Sequence, residues 1–245
     1  MTDEIIKPQR SLVEEQGGMV DKYLQRVIGV RNIPYLLKYE LLITLFGNCP
    51  GALGLLLRHI FYPGLLGSCG PKTQFGRGIT VRGGLKISAG AGVMIDDFAV
   101  LDAKSEFVPG ISIGERCLVA RNSKLSTGYT GYVRIGDHTI IGENCIIHGP
   151  GGIKIGSHVL IGDGVLINAG LHVYRDSDSN ILSQGITAKG IKIGDDTWLG
   201  TGVLVSDGVN IGKGCVVEAG SVVRDSLPDY AVASGVPARA TSRRK

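Results

Sequence analysis

Residues 193–223 read IGDDTWLGTGVLVSDGVNIGKGCVVEAGSVV, with aliphatic residues at Ile193, Leu199, Val205, Ile211, Val217 and Val223, six apart without exception. A period of six matches neither an amphipathic helix, which repeats near 3.6, nor a strand with two alternating sides. It matches a short strand followed by a corner. The aliphatic residue points inward, and Gly, Asn or Asp takes the backbone conformation that the corner demands. Three hexapeptides make a coil of 18 residues. Stacked at about 4.7–4.9 Å, such coils build a three-sided parallel β-helix whose ends need caps.

The same period extends upstream. Ile155, Ile161 and Ile167 form one run, Ile135, Ile141 and Ile147 another, and Ile113, Val119 and Leu125 a third. Ala89, Ile95 and Leu101 form a weaker run, with Phe75 and Val81 as a partial turn before it. Coils restart on doublets such as Ile111-Ser-Ile113, Val133-Arg-Ile135, Ile153-Lys-Ile155 and Ile191-Lys-Ile193. Composition agrees: 38 of 245 residues are Gly, about twice the usual share of roughly 7%, with no Gly-X-Y period that would signal collagen. With 43% hydrophobic residues and a net charge of only +4, the chain is expected to fold. Basic residues run together only at Arg243-Arg244-Lys245, so no nucleic-acid partner is expected. Cys49, Cys69, Cys117, Cys145 and Cys215 show no Cys-x-x-Cys pair, and their odd number suits a reducing compartment and small apolar filler. Residues 1–18 are acidic and polar, without the layout of a secretory signal, and a cytoplasmic location is expected.

The segments IGDGVLI (161–167), residues 193–223 and SGVPAR (234–239) resemble the hexapeptide-repeat acyltransferases, and more closely their sugar O-acetyltransferases. The resemblance spans roughly residues 75–240 and implies an all-β, left-handed parallel β-helix. The general rule for parallel crossovers would give the right-handed form. It also implies a homotrimer with sites between subunits, and acetyl-CoA as co-substrate. The chain divides accordingly into an N-terminal helical or interfacial region (1–70), the β-helix (71–235) and a basic C-terminal tail (236–245).

A solenoid that keeps its period is scaffold, and its interruptions mark chain diverted to another purpose. Leu101 to Ile113 takes 12 residues, Leu125 to Ile135 takes 10, Ile147 to Ile155 takes 8, and Ile167 to Ile193 takes 26, which is 20 beyond the period. His172 stands at the mouth of that last loop, followed by Tyr174, Arg175, Asp176, Asp178, Ser183, Gln184 and Lys189. A neutral imidazole can take the proton of a hydroxyl as it attacks a thioester. The resemblance places the family's catalytic base at His172, before the coil Ile193-Gly-Asp-Asp-Thr-Trp198-Leu-Gly200. Asn144 matches an acceptor-binding Asn of some sugar acetyltransferases, and a corner Asn in a left-handed backbone conformation explains it equally. Asp176 and Asp178 are candidates to orient the imidazole.

The resemblance further implies that Trp198 lies beside the pantetheine arm of coenzyme A, that the backbone at Thr201 and Ala219 faces it, and that Arg239 meets the nucleotide phosphates. A rival reading is a zinc site of the kind in γ-carbonic anhydrases, drawing on His138, His158 and His148. Its His-x-x-x-x-His spacing is missing here, ligands must converge, and no metal is expected. Leu41 to Leu57 is uncharged but shorter than a membrane span, and Gly47-Asn48-Cys49-Pro50-Gly51 breaks it. Two short helices follow, serving either as a contact with a membrane surface through residues 33–69 or as the cap of the first coil. The expected activity is transfer of acetyl from acetyl-CoA to a hydroxyl of a sugar or polysaccharide precursor by direct attack. The alternative is N-acetylation of an amino sugar or drug.

Overall fold

In the computed structural model the described residues are the strand Ile5–Ile6 and residues 18–245. The rest of residues 1–17, on which the reading of an absent signal falls, lies outside them. Residues 68 to 223 wind into a three-sided parallel β-helix. Its first face has seven strands, from Ser68–Cys69 to Asn210–Ile211. The second runs from Gln74–Phe75 to Val216–Val217 and is extended by Ala231–Gly235 and Ala238–Arg243, nine strands in all. The third has seven, from Thr80–Arg82 to Val222–Val223.

The predicted aliphatic positions fill the interior. Ile95, Val119, Ile141, Leu199 and Val217 stack along the second face, and Leu101, Leu125, Ile147, Ile167, Val205 and Val223 along the third, all essentially without exposure. Cys117, Cys145 and Cys215 pack into inner corners, so three of the five cysteines are buried filler. Corners adopt positive φ: between the first and second faces at His138, His158 and Asp196, and between the second and third at Asn122, Asn144, Gly164 and Gly202. At Gly202 (φ +69°) an added Cβ would meet nothing within 4 Å, so the glycine answers the backbone conformation and not a steric limit. Residues 238–243, set apart in the sequence as a basic tail, pair antiparallel with Ala231–Gly235 and close the last coil.

Helices α1 (Met19–Tyr23), α2 (Ile33–Phe46) and α3 (Gly51–Phe61) precede the β-helix. Asn32 caps α2 by accepting from the Tyr35 amide at 2.9 Å, and Pro34 stands in its first turn. The inner sides of α2 and α3 cover the first coil. Its outward carbonyls have no earlier strand to bond, and side chains serve instead: Arg58 Nε donates to Phe75 O (2.9 Å), Tyr39 Oη to Val81 O (2.9 Å), and His59 Nδ1 to Thr73 O (2.8 Å). Arg58, only 3% exposed, also ties off the break between the helices by donating to Phe46 O and Cys49 O at 3.0 and 2.8 Å. Burial pushes the Tyr35 and Tyr39 hydroxyls up to about 12, so both remain neutral donors. The segment therefore has the geometry of a cap on its inner side. On its outer side Leu37, Leu41, Leu45, Leu53, Leu56 and Ile60 stay exposed. Among the described residues, no helix is long and apolar enough to cross a membrane.

Replacing Arg58 by Met leaves Phe75 O and Cys49 O without their donor, and Phe46 O with the Cys49 amide alone. The expected cost is about 3 kcal/mol or more in unfolding free energy, read from urea unfolding, with faster amide exchange over residues 33–61. An unchanged midpoint would show that the arginine does not hold the cap.

Candidate functional site

The four interruptions found in the sequence all leave the prism between the third face and the first. The longest starts after Leu166–Asn168 and returns at Ile191–Ile193. Within it Leu171–His172 pairs antiparallel with Ile186–Thr187, which pairs in turn with Ile5–Ile6. Asn180 caps the short helix α4 (Ile181–Gln184) by accepting from the Ser183 amide. The loop is closed at its far end by Asp207, whose carboxylate accepts from the amides of Lys189 and Gly190 at 2.9 Å.

His172 is exposed and lines a groove of about 370 Å³ with Leu171, Tyr174, Arg175, Thr187, Lys189 and Asp207. Asp176 does not serve it. That carboxylate accepts from the Asp178 amide (2.9 Å) and the Ser179 hydroxyl (2.7 Å), and the Ser179 hydroxyl is the main cause holding its pKa below the usual carboxylate value. Gln184 completes the turn by donating to the carbonyls of Asp176 and Ser179. Asp176 thus shapes the loop.

Asn144 lies at the corner of the second and third faces with φ +57° and is exposed. Trp198 projects outward from the second face, between Leu160 and Val216 in register, and is 52% exposed. Thr201 and Ala219 occupy the same corner as Asn144 in later coils. Elsewhere an Asp of the next coil accepts from the corner amide: Asp97 from Arg77, and Asp163 from Glu143. Thr201 and Ala219 replace that Asp, and among the described residues the amides of Asp163, Thr201 and Ala219 have no acceptor. Arg239 follows the turn between the last two strands and is paired with Asp225, both exposed. Arg244 pairs with Asp196 at 2.9 Å, and Arg243 lies over the Tyr230 ring.

The predicted residues therefore fall into two groups. Trp198, Thr201, Ala219, Asn144 and Arg239 belong to the second face and its edge, whereas His172 stands at the far edge of the third. A whole side of the prism, up to about 20 Å at roughly 3.3 Å per residue, separates the groups within one chain.

The other histidines behave differently. His138 and His158 stack face to face at the first corner, with ring centroids 4.9 Å apart and planes 5° apart. His148 lies on the third face, in register with Ser126 on one side and Asn168 on the other. Among the described residues no group of three His, Cys, Asp or Glu side chains is placed to hold a metal. Two features went unread in the sequence. Asp207, the clasp of the long loop, looks like any corner Asp. The outward middle residues of the doublets, Arg134, Lys154 and Lys192, are visible in Val133-Arg-Ile135, Ile153-Lys-Ile155 and Ile191-Lys-Ile193, but their alignment depends on the register between coils.

Coils of hexapeptides interrupted by a loop are the architecture of a hexapeptide-repeat β-helix. Residues 190–225 match the bacterial transferase hexapeptide (six repeats), and residues 132–175 match the hexapeptide repeat of succinyl-transferase. Among solved structures the chain is similar to a variant of AntD, an N-acyltransferase from Bacillus cereus, in complex with dTDP and coenzyme A. The two are 23% identical over 64% of this chain and 83% of that one, with a TM-score of 0.56. A second AntD variant, bound to dTDP-4-amino-4,6-dideoxyglucose and coenzyme A, is 21% identical over 74% and 85% of the two chains, with a TM-score of 0.52. A hexapeptide transferase family protein from Anaplasma phagocytophilum is 18% identical over 69% and 82%, with a TM-score of 0.50. These likenesses establish the fold.

Burial, and secondarily the nearby Lys124, pushes the His148 imidazole below its ordinary 6.5. As pH falls through 6.5 the unfolded chain takes up a proton that the folded chain refuses, so stability is full above that value and declines below it. His148→Gln should flatten the fall in urea midpoint between about pH 7 and pH 5. An equal fall in both proteins would remove His148 as its source.

Proposed function

We propose that the protein transfers an acetyl group from acetyl-CoA to a hydroxyl of a sugar or polysaccharide precursor, with His172 as general base. The observation that carries this reading is the 20-residue interruption, which puts an exposed imidazole at the mouth of a groove in an otherwise regular solenoid. The imidazole takes the hydroxyl proton as the oxygen attacks the thioester carbonyl. The tetrahedral intermediate then collapses, and the sulfur of coenzyme A leaves with the proton that His172 returns. An amide such as that of Thr201, lacking an acceptor in its own chain, is suited to the developing oxyanion. Direct attack is favoured over an acyl-cysteine, since burial pushes the thiols of Cys69, Cys117, Cys145 and Cys215 up, away from the reactive thiolate.

Trp198, Thr201 and Ala219 would line the donor, with Arg239 exchanging Asp225 for a phosphate and Asn144 meeting the acceptor. Because His172 and the donor residues stand on opposite edges of the third face, a second copy is needed to bring them together. The surface suits this. Outward from the second face, Met94, Ile140, Leu160 and Trp198 form an exposed apolar row, and Ile146 continues it around the corner onto the third. A cyclic homotrimer buries these rows between subunits. N-acylation of an amino sugar is the second reading, favoured by the likeness to AntD, and paired assays with hydroxylated and aminated sugars decide between them.

His172→Ala should lower turnover at least about 100-fold, the scale of a general base, while coenzyme A still binds in calorimetry. Near-normal turnover would take His172 out of the mechanism.

The exposed outer side of α2 and α3 is proposed to rest on the cytoplasmic membrane surface. Leu37, Leu41 and Leu45 repeat at helical spacing, as do Leu53, Leu56 and Ile60, and all six are more than half exposed. Aromatic and basic residues flank them, as an interfacial segment requires. Replacing Leu41 and Leu56 together by Glu should abolish sedimentation with anionic vesicles and leave the urea midpoint unchanged. Vesicle binding that survives the change, or is absent from the parent protein, would exclude a membrane role for this surface.

A further inference from the structure

The doublets that restart each coil place one side chain on the outer side of the first face. Ser88 and Ser112 stand there in the early coils and Asn210 in the last, but the three coils between carry Arg134, Lys154 and Lys192. Arg134 is paired in register with Lys154, and Lys154 with Lys192. Three cations therefore stand in line at about 4.8 Å spacing. Like charges directly opposite in neighbouring strands repel. All three are exposed, and none has an ion-pair partner among the described residues.

The acids at both edges are otherwise engaged. On one side Asp137 and Asp195 accept from the amides of Glu115 and Ser157, and on the other Asp207 accepts from Lys189 and Gly190. Tyr132 adds order: the Arg134 guanidinium lies 4.6 Å from its ring centroid and the Lys154 ammonium 6.0 Å. The cations are also confined to the coils that carry the interruptions at 127–132, 149–152 and 169–190. Lys189 lines both the His172 groove and a second groove of about 210 Å³, whose wall includes Tyr132, Lys154 and Lys192. A continuous basic surface thus leads from His172 onto the first face.

We propose that this stripe binds the diphosphate of the acceptor, so that the acceptor is a glycosyl diphosphate with its sugar at His172 and its phosphates across Lys154 and Lys192. Two ammonium groups in line are suited to a group with several anionic oxygens, and the Arg134 fork offers further paired donors. The placement of the sugar rests on the acetyl-transfer reading; the binding of the phosphates does not. A nucleoside diphosphate and a lipid diphosphate share this chemistry.

The test is calorimetry on the intact protein with inorganic pyrophosphate, with and without saturating coenzyme A. The parent protein should bind, and Lys154→Gln with Lys192→Gln should weaken binding at least about tenfold. The same double variant should leave coenzyme A affinity unchanged and hold or raise the urea midpoint, because it removes a like-charge pair. With coenzyme A present, Arg239→Ala should bind pyrophosphate as the parent does, which separates the stripe from the donor site. Tighter binding of UDP than of farnesyl diphosphate would assign the nucleotide source, and the reverse order the lipid source. Absence of pyrophosphate binding, equal binding by the double variant, or a variant-sensitive preference for polygalacturonate over both diphosphates would overturn the proposal. Loss of coenzyme A binding with the stripe intact would defeat the acetyl-transfer reading instead.

Discussion

Parallel stacking sets each inward side chain directly over its counterpart one coil away, at about 4.8 Å, so a change in one coil is felt by the two beside it. A unit under that constraint cannot drift in length. Each side must hold one buried aliphatic residue and end in a corner whose backbone often has positive φ, as at His138, Asn144, Gly164 and Asp196. Extra residues are tolerated only where they can leave the prism altogether, and here all four interruptions leave at one edge, between the third face and the first. The regularity of the scaffold is therefore what concentrates the irregular chain in one place.

The same stacking creates the problem at the ends. A first coil has carbonyls that no earlier strand can satisfy, and burying them unpaired is costly. The helical segment answers with side chains: Arg58 reaches Phe75, Tyr39 reaches Val81 and His59 reaches Thr73, while Arg58 also ties the break between the helices through Phe46 and Cys49. At the other end the antiparallel strands 231–235 and 238–243 turn the last edge back on itself. One consequence is that the helices have two unlike sides: the inner one bonds the coil, while the outer one exposes leucines at helical spacing that the cap does not need.

The three outer faces differ in kind, although the interior is alike throughout. The first carries Ser, Arg, Lys and Asn, and the second carries Met94, Ile140, Leu160 and Trp198. A solvated face has no use for the second pattern, and a face buried against another copy would not tolerate the unpaired cations of the first. The division of the predicted residues between two edges of the third face has the same physical origin. A rigid prism holds residues of different sides apart, and no rearrangement of its packed coils could bring His172 to Thr201 within one chain.

The sequence by itself determined the coil, its period, its buried ladders and the position of its interruptions, because every one of these depends on spacing along the chain. It also identified His172 as the residue at the mouth of the longest interruption, and the 33–69 segment as two helices with a break. What it left open depended on which residues meet across space. Asn144 reads equally as ligand or corner in the sequence, and the structure gives it the positive φ of a corner together with an exposed side chain. The clasp made by Asp207, the stacking of His138 on His158 and the alignment of Arg134 with Lys154 and Lys192 join residues 17 to 38 apart in the chain, and the double duty of Arg58 depends on how its helix seats against the first coil. Periodicity says that such coils stack. Only the tertiary structure decides what each insertion does to the register of the next.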